Sequence, residues 1–261
     1  MDDLYLTLPS NTGDFAQNTL SSFEVKLPYH MELDGDWQLS LCEIQYPHSW
    51  DSIKGGQTVE TQDNWILISL KTKKPNKERL IAISIPTGFY SGIVDLIGVI
   101  NNTVAERKDE IVLKDVFKLF YDPVFKRVKL KLDNDIVKGV ILGQTIQYML
   151  GFGVDKTITF RDSVTVAKYP PDITSGFNTL YVYCDLIQPQ IVGNVLAPLL
   201  RTVPISGDYG STCNKVFLSP HYLPLRKKSF DTVEIAIRDD TDHPVEFMFG
   251  KVIVKLHLKR K

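Results

Sequence analysis

Cysteine is scarce in this chain, with only Cys42, Cys184 and Cys213. An odd count without CxxC or Cys/His spacing argues against a disulfide framework and against a zinc site. It points instead to reduced, buried thiols in an intracellular compartment. Long hydrophobic runs are also missing. The longest, residues 191–200, is broken by Gly193 and Pro198, well short of the ~20 residues of a membrane-spanning helix. The opening MDDLYLTLPS has neither the basic nor the apolar region of a signal peptide. Charge of one sign is not in excess: the formal net charge is −1, so no global field draws in nucleic acid. The five histidines form no HxH or HExxH spacing, and no serine sits in GxSxG. Zincin and serine-hydrolase chemistry therefore lack their residues, and no enzymatic activity is expected. No cofactor is expected either.

What is present is alternation. With 43% apolar and 23% charged residues, the chain carries enough material for a packed core rather than disorder. Leu4, Leu6 and Leu8 alternate with Tyr5 and Thr7. Phe23, Val25 and Leu27 alternate with Glu24 and Lys26. Both patterns read as half-buried strands ended by proline. After Trp37, Leu39 and Leu41 the apolar parity shifts to Ile44 and Tyr46, which predicts a β-bulge near Cys42–Glu43. Strands follow at Ile66, Ile68 and Leu70 and at Ile81, Ile83 and Ile85. The period then changes. Phe89, Ile93, Leu96, Ile97, Ile100 and Val104 have helical spacing, with Thr87 or Ser91 as candidate N-caps. A hairpin is predicted around Asp122–Pro123, a second short helix over 141–152, a strand over 157–168 and a linker over 169–176. Strand alternation returns at Leu180, Val182, Cys184 and Leu186, at Val233, Ile235 and Ile237, and at Val252, Val254, Leu256 and Leu258. Phe247 and Phe249 have the opposite parity, marking Gly250 as a bulge or crossing point. The reading is mainly β: a β-sandwich from residues 1–86 and 172–261, with an α/β insertion at 87–171.

Candidate sites are few. Tyr46-Pro47-His48-Ser49-Trp50 places aromatics directly after a strand. Tyr46, His48 and Trp50 are the interface candidates, because tyrosine and tryptophan concentrate at hot spots; core packing at a sandwich end is the competing reading. Asp239, Asp240, Asp242 and Glu246 cluster, but lack the DxDxDG spacing of a calcium loop and read as a turn. Lys126, Arg127, Lys129 and Lys131 line one strand. Without interleaved aromatics they read as a solvated face rather than a base-stacking platform. Glu24-Val25-Lys26 is a fragment of a nuclease ExK motif that simple alternation explains.

One resemblance runs nearly end to end. The stretches DDLYLTLPSN, FEVKLP, DWQLSLCEIQYPHSW, LYVYCDLIQPQIVGNVLAPLLRTVPI and FDTVEIAIRDDT…VEFMFGKVIVKLHLKRK resemble the minor capsid (penton) proteins of Polinton/Maverick elements and adintoviruses, distantly similar to those of virophages. The match departs at Asp242–His243, where the family pattern expects glycine. The resemblance implies a jelly-roll β-sandwich and a structural protein of the virion. It implies homopentamers at the vertices of an icosahedral virus-like particle, with the major capsid protein as partner and assembly inside the host cell. It implies no specific nucleic acid and no membrane span. The alternative is a monomeric ligand-binding, lectin-like sandwich centred on the same aromatics.

Overall fold

The computed structural model describes residues 3–12, 15–54, 64–72, 78–107, 113–153 and 159–261. The chain divides into two compact units, 1–50 with 177–261 and 51–176. Each has its own apolar core.

The first unit opens with three strands, β1 (Asp3–Pro9), β2 (Ser22–Glu32) and β3 (Trp37–Pro47). The chain then enters the second unit through β4 (Trp65–Lys71) and β5 (Glu78–Ser84). α1 (Ile93–Glu106) and the single turn α2 (Leu113–Val116) follow. Next come β6 (Phe117–Asp122), β7 (Arg127–Leu132), β8 (Val137–Leu142), α3 (Gln144–Met149), β9 (Thr159–Phe160) and β10 (Val164–Val166). The first unit resumes with β11 (Thr179–Cys184), a hairpin of β12 (Gln190–Val192) and β13 (Val195–Ala197), and β14 (Leu199–Pro204). It ends with β15 (Thr212–Val216), β16 (Leu223–Pro224), β17 (Ser229–Arg238) and β18 (Ile253–Arg260).

In the first unit one sheet runs β1-β18-β3-β15, with β16 also on β3; the other runs β14-β11-β17-β2. Leaving β16 aside, eight strands in this interleaved order, successive ones falling in opposite sheets except the paired β11 and β14, are a jelly roll. The alternation seen in the sequence puts Leu39, Ile44, Leu256 and Leu258 on the inner face of one sheet. Val25, Val182, Val233 and Ile237 line the other, all within one core. Each such burial stabilises by ~1.5–3 kcal/mol. The expected bulge is present: Lys255 pairs with Glu43 and Leu256 with Leu41, so Cys42 is skipped. The extra residue reconciles the two apolar parities of β3.

The second unit holds two sheets, β5-β4-β8-β9 and β10-β7-β6. α1 buries Leu96, Ile97, Ile100 and Val104, the helical spacing read from sequence. Its cap differs from expectation. Gly92 is the N-cap, without a side-chain hydrogen bond, and Ser91 Oγ instead donates to the Asp95 carboxylate. The Asn101 carboxamide donates to Leu119 O and accepts from Leu119 N, both at 2.9 Å, fixing α1 to β6. The second helix is shorter than expected, because Ile141 and Leu142 end β8 and Gly143 begins the turn into α3. Of the strand expected over 157–168, residues 157 and 158 lie outside the described residues.

The sequence reading places residues 51–86 and 172–176 in the sandwich; the division into units puts both stretches in the second unit. Alternation in β4 and β5 reveals one buried face, but not which core buries it. β4 pairs with β5 on one side and β8 on the other, so both strands join the second core.

Candidate functional site

β3 ends at Pro47, which donates no backbone hydrogen bond to a continuing ladder. The chain then crosses one end of the sandwich, pinned by two distant segments. Ser206 N donates to Tyr46 Oη (3.2 Å), while His48 N donates to Ser211 O (2.9 Å). Ser49 Oγ donates to Phe249 O (3.1 Å) and accepts from Met248 N (3.2 Å). Gly250 makes the close approach possible: its φ is +97°, and a Cβ there would sit 2.8 Å from Pro47 Cβ.

The aromatic rings form a graded cluster. Trp50 lies 6.4 Å from Tyr46 and 4.3 Å from His48 in stacked geometry, and meets Phe177 (5.2 Å) and Phe247 (5.8 Å) edge-on. Outward of these, Tyr209 meets His48 (6.2 Å) and Phe249 (6.5 Å) edge-on. Tyr46 is fully buried and Trp50 nearly so. Burial raises the Tyr46 phenol pKa, partly opposed by the Ser206 hydrogen bond. The structure therefore brings Tyr46, His48 and Trp50 together, but turns Tyr46 and Trp50 into their own core. His48 is half-buried, its Nδ1 2.9 Å from Gly207 O. The side chains that reach solvent at this end are Tyr209 (38% exposed), Met248 (62%) and Phe249 (48%). Sequence reasoning missed them. The opposite parity of Phe247 and Phe249 is the signal that could have found one of them.

Other titratable groups are engaged structurally. His257 is the only buried histidine among the described residues. Its Nε2 meets Asp3 Oδ1 (3.1 Å), its Nδ1 meets Tyr222 Oη (2.8 Å), and Tyr5 stacks on it at 4.3 Å. Desolvation raises the Tyr222 phenol pKa, and the line of hydrogen bonds ties β1 and β18 to the residue just before β16. Burial pushes the Cys184 thiol up to about 12. In the acidic turn, Asp239 Oδ1 accepts from Thr241 N, Thr241 Oγ1 and His243 N. Asp242 takes φ +67°, the conformation glycine would favour. No group of three or more metal-ligating side chains is assembled among the described residues. No described helix is long and apolar enough to cross a membrane.

No family model matches the chain, and no curated protein matches it. Among solved structures, the selenomethionine-labelled mavirus penton protein is similar in fold. The match has a TM-score of 0.52 at 10% identity and covers 99% of each chain. The chain thus has a penton-like jelly-roll fold.

Proposed function

We propose that this chain is a structural capsid protein forming the vertices of an icosahedral particle. The observation that carries the reading is the end-to-end likeness to a penton protein, over 99% of both chains rather than over the sandwich alone. The strand order supports it, being that of a jelly roll. In the finer form of the proposal, five copies close a ring by head-to-tail contacts. The major capsid protein of the same particle surrounds the ring, and assembly takes place inside the host cell. The sequence stretches quoted above resemble those of the minor capsid proteins of Polinton/Maverick elements and adintoviruses, and the proposal extends to that group. The protein acts without catalysis or a cofactor.

Within this proposal the contact surface at the sandwich end is the rim of Tyr209, Met248 and Phe249. Tyr46 and Trp50 form its buried base, and His48 lies between. Electron microscopy of the chain, alone and co-expressed with the major capsid protein, tests the function. Fivefold rings in either preparation are the expected result. Monomers persisting in both would overturn it.

A further inference from the structure

We propose that the outer face of the β10-β7-β6 sheet, with the β6–β7 turn at its tip, docks on an anionic lipid membrane. The register builds this face. Lys118 pairs with Lys131, Phe120 with Lys129, and Asp122 with Arg127. On the far side of β7, Val164 pairs with Lys131 and Val166 with Lys129. The opposite face carries Leu119, Val128 and Leu130, all buried in the second core. One side of the sheet is therefore anchored and the other is open.

Two properties coincide on the open side. From β6 through β7, residues 117–132 carry Lys118, Lys126, Arg127, Lys129 and Lys131 against one carboxylate, Asp122, which is already paired with Lys129 (2.7 Å). Strong positive charge is thus concentrated on a chain whose net charge is −1. The same side exposes apolar groups. At the tip Val124 is 81% and Phe125 70% exposed; Val164 and Val166 are each 52% exposed on the flank. Lysine ammonium groups lie over the rings, Lys118 at 5.2 Å from Phe120 and Lys129 at 5.9 Å from Phe125. The aromatics interleaved with the basic stripe come from β6 and from the turn, which is why β7 alone does not reveal them.

Exposed apolar side chains at a turn flanked by cations match the layering of a membrane surface. Apolar groups enter the acyl boundary while lysines reach phosphate and carboxylate headgroups. Single-stranded nucleic acid is less well served. Valines offer no flat π-face for a base, and both phenylalanine rings already have a lysine over them. A second copy of this face would bring like charges together.

The test uses the full chain and sedimentation with vesicles of phosphatidylcholine, with or without phosphatidylserine. Binding is expected only with phosphatidylserine. Phe125→Ser should weaken it roughly tenfold. Lys118→Gln and Lys131→Gln should each weaken it roughly fivefold, leaving Lys129 to hold Asp122. A Phe125→Trp variant reads insertion directly, as a blue shift in emission on phosphatidylserine vesicles. This readout stands even if a serine variant proves less stable. Equal binding to neutral vesicles, no loss in the variants, or no blue shift would overturn the proposal. So would retention on oligothymidylate without vesicle binding, or self-association through this face. None of these results depends on whether vertex rings form.

Discussion

Trp50, an interface candidate by its sequence context, packs within the sandwich core. It is 7% exposed and meets His48, Phe177 and Phe247. Trp50→Ala is therefore expected to destabilise the sandwich by ~3–5 kcal/mol, read as a lower urea midpoint. Met248→Ser with Phe249→Ser should change stability by under ~1 kcal/mol while reducing the ring fraction in electron micrographs. The reverse pattern would make Trp50 the contact and the rim mere packing. Gly250→Ala meets two obstacles, a φ of +97° and a Cβ 2.8 Å from Pro47 Cβ. A loss of ~1–3 kcal/mol is expected from the backbone strain alone, again by urea denaturation; an unchanged midpoint would mean that this corner relaxes freely. The sequence announced the 46–50 aromatics because they follow a strand and a proline. It did not announce their direction, since alternation fixes side-chain faces only inside a ladder. The exposed partners arrive from residues 209 and 248–249, so only the fold assembles the cluster.

At the scale of elements, the β6–β7 hairpin carries its own lock. Asp122 accepts hydrogen bonds from Lys129 Nζ (2.7 Å), Val124 N (3.0 Å) and Phe125 N (3.1 Å). The Lys129 hydrogen bond, then those of the turn, hold its carboxyl below the usual carboxylate range. A depressed folded-state pKa means the stabilisation is fully present above the unfolded value of ~3.9. It is lost as pH falls through the lower folded value. Amide exchange in this hairpin, corrected for the intrinsic pH dependence, should therefore lose protection in acid. Asp122→Ala should abolish that pH dependence; protection that falls identically in the variant would assign the effect to another group. The hairpin was legible because Asp122–Pro123 is a turn signal between two alternating runs, and α1 because its apolar spacing spans four turns. The 141–152 stretch was not. Short apolar runs fit strand and helix periods alike, and the partner that makes 137–142 a strand is β4, some seventy residues earlier in sequence.

For the whole molecule, alternation made the β content visible, but the sheet orders arise from pairings such as β1 with β18, joining the two ends of the chain. Nothing local specifies such a partner, and the jelly roll entered the sequence reading only through resemblance. For the same reason the boundary read from sequence differs from the division into units, since β4 and β5 pattern like sandwich strands. The structure supplies a sharper division and a way to test it. Both cores are closed sets drawn from their own units. The residues flanking the second unit, Trp50 and Phe177, have rings 5.2 Å apart, so a short linker can join them with little loop-closure cost. Replacing 51–176 by a brief Gly/Ser linker should leave a sandwich with a β-type circular dichroism spectrum and one cooperative melt. Residues 51–176 expressed alone should also fold. Removing only 87–171 should fail, because it takes β8 from β4 and strips cover from Ile66, Ile68 and Leu70, all buried in the second core. If the 51–176 replacement unfolds the sandwich while the 87–171 deletion remains folded, the earlier boundary is the physical one and residues 51–86 belong with the jelly roll.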